Sequence, residues 1–231
     1  MRILVIDTET IDLKNADIYE AGLSILDTET GDIKSKDYII SDVYNSPMFK
    51  KAYFYNQNKD ILEERIIQGK ARVVTVSEFK EIFKEELFNN YDMFSAFNVN
   101  FDVRALSYTF SKYTHAKKPL SNHIIRKIMP VLDIAILAAL VESQKPCYDC
   151  FCRKNGFTTK TGKVKTTVEA FYKYAFNTLD YSEKHNGLDD SYDEAMLLQY
   201  YFILAKNMSK VEEAVEMTQL NKKPYLLFNK K

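Results

Sequence analysis

The chain has 231 residues, 46% of them apolar and 28% charged, the composition of a globular protein with enough length for one sizeable core. Lys plus Arg and Asp plus Glu each number 32, so the formal net charge is zero, which argues against a protein that holds nucleic acid by bulk charge alone. Three clustered cysteines (Cys147, Cys150 and Cys152) make a poor disulfide framework, and no stretch approaches the ~20 apolar residues of a membrane span. No secretory signal follows Arg2, so a cytoplasmic protein with no membrane partner is expected.

Residues 2–7 lead with the apolar run Ile3-Leu4-Val5-Ile6, too short for a helix and β-branched enough for a buried strand. Residues 18–27 and 33–40 read as two more strands joined at the turn signal Thr30-Gly31-Asp32, forming an antiparallel hairpin or meander. Residues 41–58, with Pro47 among Asp, Asn and Ser, read as a long surface loop, and 60–69 as a helix. Thr75-Val-Ser-Glu78 is a capping box for a helix bearing Phe79, Ile82, Phe83 and Leu87. Residues 93–97 are a short buried strand, and 102–113 a helix ended by Lys117-Lys118-Pro119. Residues 131–141 are strand-then-helix or all helix, and 167–176 are helical. Asn186 caps a long helix to about Lys206, and a last helix covers 209–220. Strands first, then helices interleaved with a further strand, predict an α/β fold in one domain spanning 1–231: a central mixed β-sheet with helices on both faces, its core over about 1–206 and a C-terminal helix and tail over 207–231.

Asp7 and Glu9 end the first strand two residues apart, so both point to one face. Paired carboxylates there repel one another, and a hard divalent cation relieves that repulsion. An ordinary strand end running into a polar turn would give the same short pattern. Two further stretches offer partners. In Phe97-Asn98-Val99-Asn100-Phe101-Asp102 a strand gives way to an Asn-rich turn, and Asp102 opens a helix, where simple capping is the alternative reading. In His185-Asn186-Gly187-Leu188-Asp189-Asp190 a histidine lies just outside a helix whose first turn holds Asp190, and the helix N-terminus favours a carboxylate there.

Together, Asp7-x-Glu9, Asn98-x-x-x-Asp102 and His185-x-x-x-x-Asp190 resemble the three motifs of the DEDDh branch of the DnaQ-like 3′–5′ exonuclease superfamily, over about residues 1–206. The surrounding words agree: Asp-Thr-Glu-Thr after a strand, Asn98 and Phe101 before the second Asp, Gly-Leu-Asp-Asp after the His. One departure is Phe97, where the family often has His before the Asn. The resemblance implies a ribonuclease H-like fold and a metal-dependent hydrolase that removes nucleotides from the 3′ end of DNA, single-stranded or frayed. It implies two ions, Mg²⁺ or Mn²⁺, held by Asp7, Glu9, Asp102 and Asp190. Asp7 would bridge both, Glu9 and Asp190 would hold one, and Asp102 would support the other. His185 would act as general base. Thr10, Ile11, Asn98 and Phe101 would hold the 3′ end. An RNA-directed exoribonuclease of the same family and a catalytically silent nucleic-acid-binding module are the alternatives, and DNA ranks ahead of RNA as partner. A separate polymerase chain and a homodimer both stay open.

Charge is sorted along the chain. No acid lies between Asp102 and Asp133, where Arg104, Lys112, Lys117, Lys118, Arg126 and Lys127 fall. None lies between Asp149 and Glu169, where Lys160, Lys163 and Lys165 follow Arg153 and Lys154 and could track the phosphates of a bound strand. Asp27-Thr28-Glu29-Thr30 repeats the first motif word for word but precedes Gly31, so it reads as a hairpin turn at the opposite sheet edge. Cys147-x-x-Cys150 lacks the second ligand pair of a structural zinc site, so buried thiols on or near a helix are expected. His115 and His123 are expected in solvent.

Overall fold

The computed structural model describes the chain except residues 15, 90, 116–119, 144–145, 206–207 and 230–231. Its strands are β1 (Arg2–Thr10), β2 (Ile18–Asp27), β3 (Ile33–Ile40), β4 (Ala71–Val74), β5 (Met93–Ala96) and β6 (Val131–Asp133). Its helices are α1 (Ser41–Tyr44), α2 (Tyr55–Ile67), α3 (Val76–Leu87), α4 (Val99–Thr114), α5 (Asn122–Ile125), α6 (Ile134–Glu142), α7 (Pro146–Lys154), α8 (Val168–Ala175), α9 (Gly187–Ala205) and α10 (Met208–Gln219).

The six strands form one mixed sheet in the order β4-β3-β2-β1-β5-β6. β1, β2 and β3 are an antiparallel meander, β5 runs parallel to β1 and to β6, and β4 runs parallel to β3. β1 is central because Ile3, Leu4, Val5 and Ile6 are all fully buried, which requires cover on both faces. Alternation then divides them between two layers. Leu4 and Ile6 pack with Leu62 of α2, Phe79 and Phe83 of α3, and Leu106 of α4. Ile3 and Val5 pack with Leu137 of α6, Phe171 of α8, and Leu198 and Tyr201 of α9.

Local signals explain several boundaries. The Thr75 hydroxyl accepts from Glu78 N–H at 3.2 Å while the Glu78 carboxylate accepts from Thr75 N–H at 2.7 Å, the predicted capping box of α3, worth about 1 kcal/mol. α4 starts at Val99, ahead of the predicted 102, because Asn98 takes the left-handed conformation (φ 63°) and turns the chain sharply out of β5. Asp102 therefore lies within the first turn and does not open the helix. The predicted stop at Lys117-Lys118-Pro119 and the predicted end of α9 at Lys206 lie outside the described residues.

Residues 41–58 are not the expected surface loop. They hold α1, a 3-10 turn (Phe49–Lys51) and the start of α2. Phe49 is the reason: its ring meets Tyr44 at 4.7 Å, Tyr19 at 5.0 Å and Tyr55 at 5.0 Å, and aromatic burial outweighs the local turn chemistry of Pro47. β4, a four-residue edge strand, α5 and a terminal 3-10 segment (Pro224–Asn229) have no sequence counterpart in the expectations above. The cysteines do lie on a helix, α7, but only Cys152 is buried; Cys147 and Cys150 are exposed.

One close approach fixes α9. A Cβ on Gly22 of β2 would lie 1.8 Å from the Gly187 carbonyl oxygen, and one on Gly187 would lie 2.7 Å from the Gly22 nitrogen. The first turn of α9 therefore rests directly on sheet backbone, which only glycine at both positions permits.

Candidate active site

β1 pairs with β5 only from Ile3 to Val5 but with β2 as far as Thr10. Asp7 and Glu9 thus project past the end of β5, into the crevice at the carboxyl ends of the parallel strands, where α/β folds place their ligands. They share the face of Ile3 and Val5, which is the face covered by α9.

Three other elements converge there. Asp102 of α4 accepts the Thr8 N–H at 3.1 Å and the Thr8 hydroxyl at 2.9 Å through Oδ1, so the residue between the two β1 carboxylates holds the third. Asp190 of α9 accepts the N–H of Asn186 at 3.0 Å and of Lys184 at 3.3 Å. Asn186 accepts the Asp189 N–H at 3.0 Å, the predicted cap of this helix. His185, left-handed at φ 55°, turns its ring onto Phe54, with centroids 3.9 Å apart and planes 9° apart. Glu9, His185 and Asp190 present ligand atoms within 4.8 Å of one another, and this is the one such group among the described residues.

The electrostatics are those of acids crowded out of water. Burial, then the charges of Glu194, Glu9, Asp102 and Asp190, push Asp7 well above the usual carboxylate range. Burial raises Glu9 to about 8, reinforced by Asp190, Glu183 and Asp102. Burial likewise lifts Asp102 and Asp190 to about 7 each. His185 moves down, again because burial disfavours its charged form. Asp7 Oδ2 is buried with no hydrogen-bond partner. A half-buried carboxylate whose Oδ2 is shut off from water without a partner, beside three more, fits a hard cation better than it fits any donor among the described residues.

All five motif residues are therefore brought together. Asn98 lines a cleft of about 380 Å³ that opens beside Asp7 and is walled by Asp133, Thr167 and Glu194. Phe97 stands where the resembled family often has His. It gives its N–H to Glu194 at 3.0 Å, and its ring lies 6.3 Å from that of Phe171. The half-buried Phe101 has the Arg104 guanidinium 5.4 Å from its ring centre. The Thr10 hydroxyl donates to the Asp12 carbonyl at 3.3 Å. Ile11 departs from its expected place at the 3′ end: its side chain is 1% exposed and packs in the α2–α4 layer, leaving no surface for a ligand. Lys160, Lys163 and Lys165 are exposed on a small hairpin closed by a Thr158–Val164 bridge, and Thr166 and Thr167, next in the chain, line the cleft. The Lys163 ammonium lies 5.1 Å from the Tyr225 ring centre. His115 and His123 are exposed, as expected.

Four residues in or beside the crevice escaped the sequence reading. Glu194 sits four residues after Asp190 on the same helix face, a spacing that could have revealed it, and its charge is the first to act on Asp7 after burial. Asp133 caps α6 through the Ala135 N–H at 3.0 Å, accepts the Asn98 N–H at 3.2 Å, and is raised by burial to about 6. Phe54 and Asn58 were hidden in the supposed loop.

No family model matches the chain, and no curated protein matches it. Solved structures do. Exonuclease I of E. coli in complex with a dT13 oligonucleotide is similar over 98% of this chain and 45% of its own, at 14% identity and a TM-score of 0.53. The zinc ion bound form of the E. coli ExoI–ssDNA complex aligns over 95% of this chain and 43% of its own, at 13% identity and a TM-score of 0.47. The chain thus spans less than half the length of the structures it matches. At such identity the likeness is one of architecture, and with the mixed sheet and its two helical layers it makes the fold ribonuclease H-like.

Proposed function

We propose that this chain is a metal-dependent 3′–5′ exonuclease of the DEDDh type, a single exonuclease domain over 1–231 that hydrolyses phosphodiester bonds at single-stranded or frayed 3′ ends of DNA. The observation that carries the reading is the convergence of Glu9, His185 and Asp190 within 4.8 Å beside Asp7 and the buried Asp102, from three distant stretches of sequence. The fold shared with an exonuclease crystallised on a dT13 oligonucleotide supports single-stranded DNA as the substrate class.

Asp7, Glu9, Asp102 and Asp190 would hold two divalent ions, Mg²⁺ or Mn²⁺. Bound there, the ions supply charge neutralisation at the phosphate and a lowered pKa for water. The remaining work falls to the chain. His185, kept neutral by burial, accepts the proton of the attacking water at a ring nitrogen. Asn98 and Phe101 border the place of the terminal nucleotide, and Lys160, Lys163 and Lys165 attract the phosphates behind it.

Digestion of 5′-labelled single-stranded DNA, duplex DNA and RNA with Mg²⁺ tests this. A ladder of products shortened from the 3′ end of single-stranded DNA, abolished by chelator, is expected. Undiminished hydrolysis in excess chelator, or none on any substrate, would overturn it.

A further inference from the structure

The loop that carries His185 is held from one side by α2. At the α2 N-cap, Phe54 stacks its ring on the His185 imidazole. One turn on, Gln57 donates to the Lys184 carbonyl at 2.9 Å, and Asn58 donates to the His185 carbonyl. Two turns further, Arg65 donates to Asn186 Oδ1 at 2.7 Å and to Asp189 at 2.8 Å. Residues 54, 58 and 65 fall on one helical face, so a single rigid rod meets Lys184, His185, Asn186 and Asp189.

The rod is itself anchored to the sheet. The Arg65 guanidinium, 11% exposed, also binds Glu20 of β2 at 3.2 Å and Asp37 of β3 at 3.4 Å. Asn58 is fully buried, and its amide reaches the Tyr19 hydroxyl at 3.2 Å. Burial, and then the charge of nearby Glu9, raise the pKa of that hydroxyl. One amide therefore ties the His185 main chain to Tyr19 of β2. The His185 carbonyl can only accept, so the orientation of the amide follows from that neighbour.

We infer that α2 positions the general base: Phe54 fixes the plane of the His185 ring, and Asn58 holds the main chain that carries it. A left-handed residue in a loop has no helix or strand to orient it, and here the stacking ring and the amide do so. The inference rests on the function proposed above for His185. Phe54, Asn58 and Arg65 are positioning residues and need not touch substrate.

The test compares Phe54→Leu, Phe54→Tyr and Asn58→Ala, each alone and combined with His185→Ala. Misplacing a reacting group by an ångström costs about 10²-fold in rate. Phe54→Leu and Asn58→Ala should therefore lower kcat by about that factor with KM nearly unchanged, and Phe54→Tyr, which keeps the ring, should recover most of it. In the His185→Ala background neither change should lower the rate further, because the group they orient is gone. Equal losses in both backgrounds, or a Phe54→Leu enzyme with normal kcat, would overturn the inference. A second readout needs no activity. The chain has three histidines, so imidazole NMR signals are few, and His185 alone should be shifted upfield by a stacked ring. Phe54→Leu should return it toward the positions of His115 and His123. If the unaltered chain hydrolyses nothing, the proposed function fails, and the NMR signal decides the positioning by itself: an unmoved His185 resonance refutes it.

Discussion

Asp7-Thr8-Glu9-Thr10 and Asp27-Thr28-Glu29-Thr30 are the same four residues in opposite surroundings. β2 runs antiparallel to β1 in a register that sets Asp7 against Gly22 and Asp27 against Arg2. The two tetrapeptides consequently occupy opposite ends of the paired strands. At the first, burial and four neighbouring carboxylates drive the Asp7 pKa up. At the second, the Glu29 N–H donates to Asp27 at 2.9 Å and draws its pKa down. The Glu29 side chain is exposed and pairs with the terminal ammonium at 3.3 Å. A motif of this length specifies a turn or a cation site with equal ease. What decides is whether β5, α4 and α9 end nearby.

The sharpest way to break the comparison is Asp7→Asn. It removes a carboxylate at the centre of the group and should abolish hydrolysis of labelled DNA while the protein stays folded, since an amide relieves the repulsion there. Retained turnover would put the chemistry elsewhere.

Next in size is the response of stability to pH. The folded state holds protons on Glu9 up to about 8 and on Asp102 and Asp190 up to about 7, whereas the unfolded chain releases them near 4.5 and 3.8. Between those limits the folded state binds more protons, so metal-free stability falls as pH rises. The melting temperature in chelator should drop from pH 5 toward pH 8, and Mg²⁺ or Mn²⁺ should restore most at the alkaline end, where the carboxylates are free to bind it. A Tm that rises with pH in chelator would contradict the buried cluster.

A smaller effect is expected from neutralising Lys160, Lys163 and Lys165 together. The hairpin adjoins the cleft through Thr166 and Thr167, and none of the three lysines lines it, so KM should rise and lose part of its salt dependence with kcat nearly unchanged. A fall in kcat alone would make the hairpin part of the reacting centre. The smallest effect completes the pair: Asp27→Asn should leave activity near normal and Tm within about 2 °C, because an amide oxygen still accepts the Glu29 N–H.

The sheet meander, the α3 cap and the five convergent acid and histidine residues were legible because each leaves a local trace: alternation, a capping box, a carboxylate beside a helix start. β2 and β3 run over the predicted residues without a shift. What was not legible depends on contacts distant in sequence. Phe49 reads as one aromatic in a polar loop until Tyr19 and Tyr55 surround it. Phe54 and Asn58 have no meaning until the chain returns at His185, more than a hundred residues later. Ile11 follows the motif in sequence and so looked like part of the site, yet the irregularity after Glu9 sends its side chain into the core. Glu194 was legible in principle, as the next turn of the helix that bears Asp190.

The contact of Gly22 with Gly187 bears on how the acidic cluster is assembled as the chain folds. Asp7 and Glu9 stand on β1 and Asp190 on α9, more than 180 residues apart in sequence. Between Gly22 and Gly187 there is no side chain to form a partial or sliding contact: the helix either seats on the strand or stands off it. Seating α9 on β2 is thus what brings Asp190 to the β1 carboxylates. A side chain at either glycine would hold α9 off the sheet, and with it Asp190 away from Asp7 and Glu9.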